Sequence, residues 1–137
     1  MDDMSRYRMQ TWGNRMDLQM ERRMEQFLEL SGLSATRTEP CMEFIMPPCR
    51  LYIECLDGRI LLSLGRPVAA ACRVEVLKRL LGQCLSTRLP GVPLRACLLQ
   101  DHSFLSCSPA RDSGPGHWMA CHQEMRRLLD AAAGAPW

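Results

Sequence analysis

The sequence has no long apolar run and no apolar leader. Its apolar segments span only a few residues, as in "LLSLG", which a serine interrupts, and "VAAAC", whereas a membrane helix needs about 20. The first residues, "MDDMSRYRMQTWGNRMD", lack the apolar core of a secretory signal. We therefore expect a cytoplasmic protein that does not insert into a membrane.

The common signatures of nucleotide binding and hydrolysis are also missing. The sequence contains no G-x-x-x-x-G-K-[ST], G-x-G-x-x-G, G-x-S-x-G or H-E-x-x-H. Charge is nearly balanced, with 17 basic and 15 acidic residues and a net charge of +2. That balance does not predict the clustered basic face of a nucleic-acid-binding domain, so we expect no nucleic-acid partner.

The eight cysteines show none of the spacings that metal or redox sites use. No two stand in a C-x-x-C arrangement, the usual half of a zinc or thioredoxin-like site. Without an export signal we expect them to be reduced, and most to be small buried hydrophobic residues. The nearest approach to a ligand cluster is His117, Cys121 and His122, which lacks a fourth ligand. We predict no metal and no cofactor.

A thiol enzyme is the alternative that these residues leave open. Cys97, Cys107 or Cys121 could act as a nucleophile with His117 or His122 as its base. Most of these cysteines, however, lie in apolar patterns, and an apolar environment raises a thiol pKa. We therefore expect no catalysis.

Apolar residues recur at helical spacing in three segments and alternate in the segments between them. The predicted helices are 16–31, 70–88 and 117–134. One strand is predicted at 41–48. Two strands each are predicted in the hairpins at 50–68 and 94–108. The fold class is thus α+β, one small domain at 16–134 with an antiparallel sheet of about five strands in the order α-β-β-β-α-β-β-α. Residues 1–15 are interpreted as an extension.

Asp57-Gly58 is the strongest local signal, because a type I′ turn needs positive φ at both central residues. That turn sets the strand register. The predicted pairs are Leu56 with Arg59, Cys55 with Ile60, and Ile53 with Leu62. The apolar rows then share one face, which we predict to be core, while Tyr52 and Glu54 lie on the other.

This order of elements resembles the class I chaperones of bacterial type III secretion, and in particular their SycN-like branch. Three stretches carry the resemblance: "FLELSGL" at 27–33, "RLYIECLDGRILLSLGRPVA" at 50–69 and "GVPLRACLLQDHSFLSCSPARD" at 91–112. They are similar to the end of the family's first helix, its central hairpin, and its second hairpin before the last helix. The likeness spans roughly 16–133.

The resemblance implies a dimeric protein without an active site. Such a protein binds the N-terminal region of a secreted effector or gatekeeper protein and keeps it export-competent. The dimer is either a homodimer or a heterodimer with a second small chaperone. The implied dimer residues are Leu77, Leu81, Cys84, Leu85, Leu98 and Leu105. The implied cargo-binding residues are Met20, Phe27, Phe44, Met46 and Tyr52. An adaptor or regulator of secretion on the same fold remains the alternative.

Overall fold

A computed structural model describes residues 16–35, 37–85 and 87–134. The three α-helices and five β-strands of this part of the chain are α1 (Leu18–Leu30), β1 (Cys41–Met46), β2 (Cys49–Leu56), β3 (Arg59–Pro67), α2 (Arg73–Cys84), β4 (Arg95–Leu99), β5 (His102–Cys107) and α3 (Pro115–Ala132). A 3-10 turn at Ala70–Cys72 leads into α2. The predicted α+β class and element order are confirmed, whereas the predicted extension at 1–15 lies outside the described residues.

The five strands form one antiparallel sheet in the order β1-β2-β3-β5-β4. The first three strands follow one another as neighbours. Helix α2 then carries the chain past the sheet, so that β4 becomes the far edge and β5 returns between β4 and β3. Strands β1 and β4 therefore each have one edge that no described strand covers.

The central hairpin has the predicted register, with Leu56 opposite Arg59, Cys55 opposite Ile60 and Ile53 opposite Leu62. Asp57 and Gly58 both have positive φ, 54° and 76°, as a type I′ turn requires. The second hairpin differs slightly from the prediction. Its turn lies at Gln100, whose φ is 56°, and His102 begins β5 instead of standing in the turn.

The core lies between one face of the sheet and the helices. The strands contribute alternate apolar residues that are fully buried, namely Leu51, Ile53, Leu62, Leu64 and Leu105. Helix α3 packs between α1 and α2 and buries Trp118, Cys121, Met125, Leu128 and Leu129. Helix α1 buries the predicted stripe of Met20, Met24, Phe27 and Leu28, and the Phe27 and Trp118 rings meet edge-on at 6.0 Å. Among the described residues, no helix covers the opposite face of the sheet.

Candidate interaction surfaces

Helix α2 has two apolar sides, and only one of them belongs to the core. Val76 and Leu80 are buried. Val74, Leu81 and Leu85 stand at 65%, 52% and 89% exposure. Because they are seven and four residues apart, the three side chains share one face of the helix and its C-cap. We call Val74, Leu81 and Leu85 the α2 stripe.

The predicted dimer residues are only partly at this surface. Leu81 and Leu85 lie in the α2 stripe, and Leu77 and Cys84 are half-buried beside it. Leu98 is half-buried on the edge strand β4. Leu105 is fully buried on the helix-covered face of the sheet, so its assignment to a dimer surface is corrected.

A buried carboxylate fixes the segment that follows α2. The Glu124 side chain accepts hydrogen bonds from the Arg127 guanidinium at 2.7 and 2.9 Å, from the Arg88 backbone N–H at 2.8 Å and from the Thr87 hydroxyl at 3.3 Å. The Arg127 guanidinium is the main reason that the pKa of Glu124 falls to about 2. This anchor ties the segment that follows α2 to α3.

The outer face of the sheet carries an aromatic cluster, which we define as Tyr52, His102 and Phe104. The Phe104 ring lies 6.0 Å from the rings of both Tyr52 and His102. It also covers Gly65 on the neighbouring strand, where an added Cβ would come within 2.5 Å of Phe104 Cε1. The glycine is therefore required by the ring that lies over it.

An open cleft of about 470 Å³ lies elsewhere on the outer face. Its lining includes Leu61 on β3, Arg95 on β4 and Ser106 on β5. Ser106 is held by a 2.9 Å hydrogen bond between its hydroxyl and that of Ser63. The outer face of the sheet therefore carries the aromatic cluster and, in this cleft, an aliphatic side chain, a guanidinium and a hydroxyl group.

The predicted cargo-binding residues do not share one surface. Met20 and Phe27 are buried in the core, because they are the residues through which α1 packs against the rest of the fold. Phe44 and Met46 are half-buried on the helix-covered side of β1 and pack against the core. Tyr52 alone lies on the outer face. The placement of Met20 and Phe27 on an accessible surface is therefore corrected, whereas a cargo role for Phe44, Met46 and Tyr52 stays a prediction.

One of the sequence-predicted thiols, Cys121, lies beside a histidine, and a second thiol, Cys107, lies beside Cys121. The Cys121 Sγ lies 3.8 Å from His117 Nε2, and the buried Cys107 thiol hydrogen-bonds to Cys121, which raises the pKa of Cys107 and lowers that of Cys121. His122 lies elsewhere, against the Phe27 ring at 6.4 Å, and burial lowers its pKa. Cys121 is fully buried, whereas Cys107 is 3% exposed and lines the cleft on the outer face.

The remaining cysteines divide by exposure. Cys49 and Cys55 are buried, and burial raises the pKa of each. Cys84 is half-buried, and Cys41, Cys72 and Cys97 are exposed. Four of the eight cysteines are therefore buried, whereas the sequence analysis expected most of them to be. Within the ranges that the structure describes, no three histidine, cysteine or acidic residues gather as metal ligands, and no helix is long and apolar enough to cross a membrane.

Comparison with known families decides what this fold belongs to. The SsaM family model matches residues 17–132, which include every helix and strand described above. The chain belongs to the SsaM family. SsaM proteins are associated with type III secretion, so that part of the predicted resemblance is confirmed, while the class I chaperone assignment and its SycN-like branch stay predictions.

Two individual proteins are similar to this SsaM-family chain, one in sequence and one in fold. The secretion system apparatus protein SsaM of Salmonella typhimurium strain LT2 is 26% identical over 123 residues, covering 84% of this chain and 93% of that protein. The crystal structure of YbjN from E. coli superposes with a TM-score of 0.55 at 13% identity, covering 80% and 85% of the two chains. The second likeness shows the fold alone.

Sequence reasoning missed two surface residues of this SsaM-family chain. Val74 is absent from the predicted dimer residues, although its spacing to Leu81 and Leu85 places it on their face of α2 and apart from Val76 and Leu80. Phe104 is recognisable only through its strand partner, because it lies opposite Gly65 across the β3–β5 pair. Strand pairs distant in sequence carry no local pattern that would reveal this.

Proposed function

We propose that this SsaM-family chain is a cytoplasmic, non-catalytic binding protein of a type III secretion system. It pairs with a second chain through the α2 stripe. It binds a secreted effector or gatekeeper protein on the outer face of its sheet and keeps that cargo export-competent. Binding of this kind needs no metal or cofactor.

The observation that carries the proposal is the α2 stripe. Three exposed aliphatic side chains on one helix face are unusual for a surface that meets only water, and such patches commonly mark interaction sites. Fully burying one such side chain stabilises a complex by about 1.5–3 kcal/mol. The stripe can therefore supply several kcal/mol to an interface.

The outer face of the sheet supports the cargo-binding part. It offers an aromatic ring pair, Tyr52 and Phe104, and it lies between two strand edges, β1 and β4, that no described strand covers. An extended peptide can add to such an edge through main-chain hydrogen bonds while neighbouring side chains give specificity. This arrangement suits a cargo segment that is held unfolded.

Co-purification from a bacterium that carries the cognate secretion system tests the pairing. We expect an affinity-tagged chain to retain secretion-system proteins, and a Leu81→Ser variant to lose the paired chain. Leu30→Ser on α1 is the matched control, because Leu30 is 53% exposed and Leu81 52%. Equal retention by both variants would contradict the assignment of α2 as the pairing surface.

The cargo face is tested separately. A Tyr52→Ser variant is expected to keep the paired chain but to shorten the cellular half-life of the cargo. Glu54→Ser is its control, since Glu54 lies on the same face of the same strand. Unchanged cargo half-life and secretion in the Tyr52→Ser strain would remove the outer face from the proposal.

A secretion adaptor without a chaperone role is the second candidate. It is favoured by the relative in Salmonella typhimurium, which is a secretion system apparatus protein by name. Deleting the gene distinguishes the two functions. A chaperone's loss lowers the amount of cargo inside the cell, whereas an adaptor's loss leaves that amount unchanged and alters which proteins are secreted.

A further inference from the structure

The cleft on the outer face of the sheet brings two guanidinium groups together without a carboxylate. Its volume of about 470 Å³ is within the range of about 300–1,000 Å³ that is usual for ligand sites. Arg59 and Arg95 line it, and among the residues that the structure describes no acidic residue does. Leu56, Leu61 and Pro93 give it apolar walls. We call it the arginine cleft.

The two arginines differ in what they already bind. Arg59 donates hydrogen bonds from Nη2 to the Ser108 and Pro109 carbonyls, both at 3.3 Å, so its side chain is held beside the end of β5. Arg95 is exposed, and its side chain forms no hydrogen bond or ion pair with any described residue. The Arg95 charge is therefore available to a ligand.

A pair of hydroxyl groups lies beside Arg95. Ser106 is directly opposite Arg95 across β4 and β5, and Ser63 is directly opposite Ser106 across β3 and β5. Residues that face each other in this way have Cβ atoms about 4.5–5.5 Å apart on the same side of the sheet. The Ser63 and Ser106 hydroxyl oxygens are 2.9 Å apart. If Ser63 donates in that bond, the Ser106 hydroxyl can donate to an anion at Arg95.

The acidic side chains that β1 and β2 place on the outer face lie away from this cleft. Glu43 accepts a hydrogen bond from Arg50 at 3.0 Å. Glu54 is on β2, which three strand spacings separate from β4, and spacings of about 4.8 Å make that distance about 14 Å. Because charges more than about 10 Å apart at a surface are largely screened at about 0.1 M salt, Glu54 does not neutralise Arg95.

We propose that the arginine cleft is the subsite that receives an acidic side chain of the cargo, an aspartate or glutamate with an aliphatic residue beside it. This inference rests on the proposed function, in which the outer face binds the cargo, and adds the chemistry of the bound segment. The Arg95 guanidinium can hold a carboxylate through two parallel N–H donors, and Ser106 adds a third.

The apolar walls of the cleft define the rest of the segment. Alternate side chains of an extended chain point the same way, about 6.6–6.8 Å apart. A segment of the form aliphatic–x–acidic therefore presents both groups to the cleft at once, the aliphatic one to Leu61 and the acidic one to Arg95. A phosphate group suits these walls less well than a carboxylate, because its second negative charge costs more to remove from water beside Leu61 and Pro93.

Three fluorescent synthetic peptides test this on the intact chain by anisotropy. They share an alternating leucine and serine sequence, and the central leucine is replaced by glutamate, glutamine or phosphoserine. At about 50 mM NaCl the glutamate peptide is expected to bind about fivefold more tightly than the glutamine peptide, the upper end for an exposed ion pair. The ratio should approach one at about 500 mM. Arg95→Gln should abolish the preference, and Arg22→Gln, which removes an exposed charge on α1, should keep it.

The apolar contact has its own variants. Leu61→Ser should weaken the glutamate and glutamine peptides by the same factor, whereas Leu30→Ser on α1 should weaken neither; the parent side chains are 36% and 53% exposed.

Four results would overturn the inference. They are equal binding of the glutamate and glutamine peptides, a preference that survives in Arg95→Gln, tightest binding of the phosphoserine peptide, and no binding of any peptide. If one of them occurs while Tyr52→Ser still shortens the cargo half-life, the proposed function stands without this subsite. If the Tyr52→Ser test also fails, the outer face has no cargo role.

Discussion

Replacing Gly65 with alanine should destabilise the fold through a single neighbour, the Phe104 ring. An added Cβ would lie 2.5 Å from Cε1 and 2.7 Å from Cζ of that ring, and real Cβ atoms essentially never come so close. The ring must therefore move away from Gly65 and from Tyr52. Because Phe104 is only half-buried, it can swing outward, so we expect a cost of about 1–2 kcal/mol, at the lower end for overpacking.

Urea unfolding followed by circular dichroism measures this cost, and a double-mutant cycle assigns it. In a Phe104→Ala background the alanine at position 65 meets no ring, so Gly65→Ala should be neutral or stabilising there by up to about 1 kcal/mol, as is usual for alanine over glycine within a strand. Gly82→Ala is the control, because Gly82 lies in α2 with nothing within 4 Å of its added Cβ; it should stabilise the helix by about 0.5–1 kcal/mol.

Two outcomes would refute the reasoning. If Gly65→Ala unfolds at the same urea concentration as the parent, the ring does not lie over the glycine in solution. If it is equally destabilising with and without Phe104, the cost arises from the backbone of β3 and not from the ring. The same variants report on function, since an outward Phe104 separates from Tyr52 and should weaken cargo retention.

Three further predictions concern the hairpin, the buried carboxylate and the thiols. Gly58→Val should cost about 2 kcal/mol and reduce soluble expression, because φ at this turn residue is 76° and the new Cβ would lie 2.9 Å from Arg111 Nη1; a melting temperature equal to the parent's would contradict the turn assignment. The free energy of unfolding should fall as pH drops from about 4.5 towards 2, because the pKa of Glu124 is lowered from 4.5 to about 2 in the folded state. The stabilisation is complete above the unfolded-state pKa and is lost as pH falls through the folded-state pKa. Glu124→Gln should flatten that dependence and cost about 1–3 kcal/mol, and a parent-like acid profile in the variant would exclude Glu124 as its source. A maleimide should label Cys41, Cys72 and Cys97 fast and the five less exposed cysteines slowly; one hyper-reactive thiol at neutral pH, at Cys121 above all, would reopen the thiol-enzyme alternative.

The local elements could be predicted because each has a strong sequence signal. Helix α1 follows from methionines and Phe27 at three- and four-residue steps, and the central hairpin from Asp57-Gly58 with alternating apolar arms. The register of β2 and β3 followed from the turn alone, and the structure confirms it. These features depend on neighbours within a few residues, where the physical constraints of backbone and period are visible in the sequence.

The surfaces could not be predicted in the same way. The spacing of Met20 and Phe27 is the same whether the helix packs its apolar face into the protein's own core or presents that face to a cargo. The packing of α1 against α3 decided that they are core. Leu105 likewise is inaccessible because its side chain lies on the helix-covered face of the sheet, opposite the buried Leu64. The sheet order β1-β2-β3-β5-β4 is set by contacts between segments distant in sequence.

By itself, then, the sequence determined the α+β class, the order of the elements, the central hairpin register and the apolar rows that form the core, because periodicity and turn chemistry act over a few residues. Only the tertiary structure decided which apolar residues remain outside. On α2, Val76 and Leu80 pack into the core, whereas Val74, Leu81 and Leu85 are exposed to water. On the outer face of the sheet, the Phe104 ring lies over Gly65. The physical reason is that exposure is settled by what packs against a side chain, and for this domain those partners lie in other elements of the fold.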